Sequence, residues 1–299
     1  MLNQRLISGG LLGSSFLLAV FFLPAFCVGP VMMALVSFAL WEFYGLLAAA
    51  GIPSFRVIGT ATGAAWVGLT AIGYLTPGRL PGFLASGEAE MFLLALLVVV
   101  ICVRIFPQKN NVQPLMTLAC TVFGVLYVAF FLNYILKIVL AWDTPVWSAH
   151  IGRTGRIYAL FLVVVVKVTD IGAFFVGRSL GRHKMFPRIS PGKSWEGLAG
   201  GLLSGVAVGL VLYGFFRLPG ADGVIRFGMI SMTWIQAGVL SLMLSGVGVL
   251  GDLVESLLKR ATSAKDSGTL IPGMGGILDV LDSLLLGAPC LYYCFRVLS

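Results

Sequence analysis

Charge is what this chain of 299 residues has least of: only 11% are Asp, Glu, Lys or Arg, against about 25% in an average globular protein. With 20 Lys and Arg and 12 Asp and Glu it cannot cover the surface of a water-soluble domain of this length. Intrinsic disorder and a coiled coil are excluded by the same figures. Cysteine is also scarce. The five (Cys27, Cys102, Cys120, Cys290, Cys294) lie in or beside apolar runs with no Cys-x-x-Cys pair, so they read as small buried hydrophobes rather than metal ligands or a disulfide framework. There is no charged tail, no convincing internal repeat, no sign of a nucleic-acid partner and no soluble domain. Arg5 followed by an apolar run superficially resembles a signal peptide, but no small-x-small cleavage site stands out, so the segment is read as a retained first helix.

What is present is apolar: 59% of the chain. A membrane helix needs about 20 mostly apolar residues. Runs of this kind fall at about 6–24, 30–51, 57–76, 90–107, 115–141, 157–177, 197–216, 230–251 and 276–297, separated by Pro and Gly clusters such as Pro77-Gly78, Pro191-Gly192 and Pro272-Gly273. The expected fold is therefore all-α, a polytopic integral membrane protein of about nine transmembrane helices. Nine spans put the termini on opposite sides. Counting Lys and Arg then gives twelve on the N-terminal side and seven on the other, with Lys167 inside a span. By the positive-inside rule the N-terminus is cytoplasmic and the C-terminus lies opposite.

The scarce charges are not scattered. Eight of the twelve acids follow residue 169, and the longest polar loops, 178–196 and 252–275, both face the cytoplasm in this arrangement. Asp170, Asp252, Asp279 and Asp282 lie inside or at the ends of apolar runs, where an ionised group costs a few kcal/mol and usually faces a wet cavity or a partner. Each has a simpler explanation taken singly. Asp170 could pair with Lys167, and Asp279 and Asp282 could complement a helix dipole. Together with Glu255, Lys259, Arg260, Lys265 and Asp266 just upstream, they suit a divalent metal holding a polyphosphate. Lys193, Lys259, Arg260 and Lys265 would neutralise phosphate. Gly273, Gly275 and Gly276 would let backbone N–H groups approach anionic oxygens at a helix start. The cations alone would equally fit a loop that touches lipid headgroups. Gly192-Lys193-Ser194 is not a phosphate-binding P-loop, because Pro187 occupies the position of its first glycine and no strand precedes it.

The stretch from Ser256 through Lys259-Arg260, Lys265-Asp266, Gly268 and Pro272-Gly273-Met274-Gly275-Gly276 to Asp279-Val280-Leu281-Asp282 closely resembles the C-terminal signature of the phosphatidate cytidylyltransferases. A second block, Asp170-Ile-Gly-Ala-Phe174, Gly177-Arg178, Gly181-Arg182 and Ser190-Pro-Gly-Lys193-Ser194-Trp-Glu196-Gly197, looks like that family's other motif region. Gly251-Asp252-Leu-Val-Glu255 matches as well. Resemblance is strong over about 165–285, while the N-terminal half agrees in hydrophobicity and loosely through Trp41-Glu42. Two positions depart from the pattern: Met274 replaces the usual His and Val280 the usual Arg.

The resemblance implies transfer of a cytidylyl group from CTP to phosphatidate, with Mg²⁺, in phospholipid biosynthesis at the cell membrane. Residues 1–150 would be scaffold and lipid access, and 151–299 the catalytic region with its two cytoplasmic loops. Asp252 and Asp279 would be metal ligands, with Asp282 as a further ligand or a group behind them. Lys193, Lys259, Arg260 and Lys265 would bind phosphates. Ser190, Ser194 and Glu196 would line the nucleotide side beside Gly275 and Gly276, and Asp266 would orient the cations. Alternatives are a cytidylyltransferase for another lipid phosphate such as an ether lipid, a catalytically silent relative, or an ion-coupled transporter. Gly197, Gly201, Gly205 and Gly209, one small residue every four, would let helices approach closely, either within the chain or in a homodimer.

Overall fold

The computed structural model describes residues 14–15, 22–76, 88–108, 111–142, 154–219, 225–228, 230–273 and 275–298. Eight long helices carry the fold: α1 (Ala25–Ala49), α2 (Arg56–Leu75), α3 (Glu88–Ile105), α4 (Pro114–Ala141), α5 (Thr154–Leu180), α6 (Trp195–Phe216), α7 (Trp234–Ala261) and α8 (Ile277–Leu298). Two small antiparallel sheets accompany them. Strands β1 (Lys184–Phe186) and β2 (Ser190–Ser194) form a hairpin between α5 and α6; β3 (Arg217–Pro219), β4 (Ile225–Phe227) and β5 (Ile230–Ser231) form a meander between α6 and α7. The protein is an all-α polytopic membrane protein.

Among the described residues, seven of these helices are long and apolar enough to cross a membrane. The expected count of nine is not reproduced. The run at 90–107 is helical as α3, but its 18 residues include Glu88, Glu90 and Arg104, and it is not one of the seven. The expected first span, 6–24, falls largely outside the described residues.

The chain builds two compact units, one from the described parts of Phe22–Leu140 and Ala261–Val280, the other from those of Ala141–Arg260 and Leu281–Ser299. In the first unit, Val36, Leu40, Phe43 and Tyr44 of α1 are buried, with Trp66 and Val67 of α2. Helix α4 has a π-helical centre at Val125–Phe130, where the ring of Tyr127 stacks on Phe123 and lies near Phe43. Just before it, the carbonyl of Thr121 accepts from the Tyr44 hydroxyl at 2.7 Å. The α4 segment beyond the π-turn brings polar groups inside the bundle. Lys137 pairs with Glu90 at 2.9 Å, Thr70 donates to Glu90 at 2.8 Å, and Asn133 donates to Thr70 at 2.9 Å. Each group offsets the desolvation of the next.

In the second unit the glycine spacing of α6 is used internally. A Cβ on Gly201 would stand 2.8 Å from the carbonyl oxygen of Thr169 on α5. One on Gly209 would stand 2.0 Å from Ser241 Oγ on α7. At Gly205 it would meet both neighbours, 2.2 Å from Thr169 Oγ1 and 2.1 Å from Ser245 Oγ, which are themselves hydrogen-bonded at 2.8 Å. Three helices therefore touch nearly backbone to backbone, the packing that small residues permit in a bilayer where apolar burial no longer drives association. Ser194 caps α6, its hydroxyl accepting from Gly197 N at 3.1 Å.

Gly205→Leu is expected to disrupt this junction at a cost of about 1–3 kcal/mol or more, read as a lower melting temperature of the detergent-solubilised protein. Gly246→Ala, where an added Cβ meets nothing within 4 Å, should leave melting unchanged or raise it.

Candidate active site

Polar groups gather in two places, each within one unit. In the second unit, α7 presents Asp252 and Glu255 one helical turn apart, and α8 presents Asp282. Carboxylate oxygens of the three lie within 4.8 Å of one another. Glu255 is 1% exposed and Asp282 7%. The close approach is set by Gly251, where a Cβ would fall 2.6 Å from the backbone oxygen of Asp282. Three acids this close and this buried repel one another unless cations face them. Lysines do so from three directions: Lys193 of β2 pairs with Asp252 at 2.8 Å, Lys259 with Glu255 at 2.5 Å, and Lys167 of α5 lies 3.7 Å from Asp170 while donating to Ser283 Oγ at 2.8 Å. An all-oxygen donor set of carboxylates is the chemistry that hard divalent cations select.

In the first unit, the segment leading into α8 is folded around two carboxylates. Asp279 Oδ2 accepts from Ser267 N, Ser267 Oγ and Gly276 N, each at 2.8 Å. Glu42 of α1 accepts from Ile277 N at 3.0 Å, Leu278 N at 2.9 Å and Ser267 Oγ at 3.3 Å. Ile271 and Gly275 exchange backbone hydrogen bonds of 2.8 and 3.1 Å across a tight turn. Gly275 has φ +98, and a Cβ there would lie 2.4 Å from Asp279 Oδ2; at Gly276 it would lie 2.3 Å from Glu42 Oε2. The glycines thus admit the two carboxylates to the main chain.

Several expected site residues take definite structural positions. Asp252 and Asp282 belong to the carboxylate cluster, whereas Asp279 is engaged by Ser267 and Gly276. The expectation that Gly275 and Gly276 offer free N–H groups to phosphate is corrected. Gly276 N donates to Asp279 and Gly275 N to Ile271 O, because the positive end of α8 is met by the protein's own anions. Ser194 is the buried α6 cap described above. Glu196 accepts from the backbone N–H groups of Arg182 and His183, at 3.2 Å, and contacts His183 Nδ1 at 2.5 Å; neither side chain is directed by these bonds toward a ligand. Ser190 is half-buried in β2 opposite Phe186. Arg260 Nε donates to Ile189 O at 3.3 Å, tying α7 to the hairpin. Lys265 and Asp266 are exposed on the loop. Met274 lies outside the described residues.

Two residues escaped the sequence-based assignment of the site. Glu255 carries the signal of a three-residue spacing from Asp252, which puts both on one helix face. Glu42 carries only the oddity of an acid deep in an apolar run.

The chain matches the cytidylyltransferase family over residues 3–298. It is 31% identical to a phosphatidate cytidylyltransferase of Haemophilus influenzae (strain ATCC 51907 / DSM 11121 / KW20 / Rd) over 310 residues, covering 100% of both chains. A phosphatidate cytidylyltransferase of Bacillus subtilis (strain 168) is 34% identical over 226 residues, 76% of each chain. One of Brucella suis biovar 1 (strain 1330) is 46% identical over 133 residues, 44% of each chain. Matched along nearly its whole length, the chain belongs to the cytidylyltransferase family.

Proposed function

We propose that the protein transfers the cytidylyl group of CTP to phosphatidate, giving CDP-diacylglycerol and pyrophosphate. The observation that carries this reading is the full-length match to a phosphatidate cytidylyltransferase, in a chain whose buried acids and lysines converge among membrane-crossing helices. In the reaction a phosphate oxygen of the lipid attacks the α-phosphorus of CTP. The bond from that phosphorus to the bridging oxygen breaks, and pyrophosphate leaves. The attacking phosphate is already ionised near neutral pH, so no strong general base is required. Rate then depends on alignment and on neutralising the charge of two phosphates brought together.

Asp252, Glu255 and Asp282 would hold Mg²⁺, their buried oxygen donors fitting the preference of that ion for carboxylates completed by phosphate and water. Mg²⁺ bound there would neutralise phosphate oxygens and favour departure of pyrophosphate. Lys193 and Lys259, held by Asp252 and Glu255, would face the phosphates, with Arg260 and Lys265 extending the positive field toward incoming CTP. Asp279 serves to fix the loop and first turn of α8. The site loops and N-terminus would be cytoplasmic in the cell membrane, which agrees with the excess of Lys and Arg on that side and with a soluble nucleotide substrate. A homodimer would need a surface other than the glycine stripe of α6, whose glycines already face α5 and α7.

Purified protein given labelled CTP, MgCl₂ and phosphatidate is expected to move label into the lipid phase, with dialkyl and diacyl phosphatidate run in parallel. Absence of transfer to either lipid phosphate by folded protein would overturn the assignment. Asp282→Asn and Glu255→Gln should each lower turnover by more than the roughly 10–100-fold that loss of a group behind the ligands causes, and shift the Mg²⁺ titration to higher concentration. Lys265→Met should raise the KM for CTP while leaving the Mg²⁺ midpoint in place. An unshifted midpoint in both carboxylate variants would remove Asp282 and Glu255 from the ion site.

A further inference from the structure

Glu42 is an acid within α1, one of the helices able to cross a membrane, and an ionisable group in such a helix is retained only with partners that offset its desolvation. Its partners lie more than 200 positions away in the chain. One carboxylate oxygen accepts from Ile277 N and the other from Leu278 N, the second also lying within reach of Ser267 Oγ. These successive N–H groups belong to the orphan donors that every helix leaves at its start. Two oxygens of one rigid carboxylate gripping two consecutive N–H groups fix the first turn in rotation as well as in position. Asp279, from within α8, takes Gly276 N.

No other side chain could easily do this. The approach to α8 runs through Gly273, Gly275 and Gly276, which have no side chains to anchor them, and Gly273 and Gly275 have positive φ. Added Cβ atoms at Gly268 and Gly276 would lie 2.7 and 2.3 Å from the Glu42 oxygens, so the loop is wrapped onto the carboxylate. Glu42 in turn projects from a well-fixed stretch of α1, where Leu40, Phe43 and Tyr44 are buried and the Tyr44 hydroxyl is bonded to Thr121. The turn it holds leads directly into Asp282, one turn further along the same helix.

We propose that Glu42 is a positioning residue for the carboxylate site, an external cap that sets the rotation and order of the first turns of α8 and so the placement of Asp282. This rests on the assignment of Asp252, Glu255 and Asp282 as the divalent-ion site, and it adds a determinant from the opposite end of the chain. Groups behind metal ligands typically change ion affinity or activity by about 10–100-fold when removed, and a first turn without its cap frays.

The test measures Mn²⁺ binding by electron paramagnetic resonance alongside turnover, in full-length protein in detergent, for Glu42→Gln and Glu42→Ala. Gln keeps one acceptor oxygen and should weaken Mn²⁺ binding and lower kcat by about tenfold. Ala should do so by up to about a hundredfold, with the KM for CTP within about threefold of the original. Graded loss with partial retention in Gln supports the positioning role. Original Mn²⁺ affinity and kcat in both variants overturn it. So does a Glu42→Ala protein that fails to fold while Glu42→Gln binds Mn²⁺ and turns over normally, since the carboxylate would then serve folding alone. If the unaltered protein binds Mn²⁺ yet transfers no cytidylyl group, the proposed reaction falls, and the Mn²⁺ affinities of the two variants still decide the role of Glu42.

Discussion

The structure is organised by the cost of placing an ionised group where water is scarce. An unpaired charge at membrane depth is destabilising by several kcal/mol, whereas one facing an opposite charge or several hydrogen-bond donors is tolerated. Wherever a described helix carries an acid inside its apolar length, a partner is in place. Glu90 has Lys137 and Thr70, Asp252 has Lys193, Glu255 has Lys259, and Glu42 has the start of α8. The rest of the packing serves these pairings. Gly251 lets α7 reach the backbone of α8, and the glycines of α6 let α5, α6 and α7 close on one another.

The same constraint relates structural polarity to chemistry. Three carboxylates within 4.8 Å of one another are individually costly, and lysines at 2.5 and 2.8 Å offset two of them. A cluster preassembled in this way needs little reorganisation to receive a divalent ion and a polyphosphate, since opposite charges already stand at the distances those ligands require. The first turn of α8 is likewise preassembled, its donors occupied by Asp279 and Glu42.

How much of this was legible in the sequence depended on range. Helix positions could be read because apolar runs of sufficient length report directly on membrane spans. The buried faces could not. Phe38, Ile171, Leu203 and Leu250 are as apolar as core residues yet exposed, as lipid-facing residues should be, so hydrophobic periodicity carries little signal here. Asp252 and Asp282 stood out because an acid in an apolar run needs a reason. The three-residue spacing of Glu255 was visible but not used in choosing ion ligands. The glycines before α8 were rightly read as leaving room for an anion at a helix start. That the anions are Asp279 and Glu42 depends on a contact between α1 and α8 that no local pattern encodes.

The π-helical turn in α4 bears on how this chain can change length. An α-helix advances about 100° per residue, and a π-turn absorbs one surplus residue by widening locally. Deleting one residue within Val125–Phe130 would let α4 close into regular helix while rotating everything after it by about that angle. Asn133 and Lys137 would then swing off the side that meets Thr70 and Glu90. The widened turn therefore acts as a phase adjuster: it keeps the polar residues of the second half of α4 in step with partners that the first half alone would have set out of register.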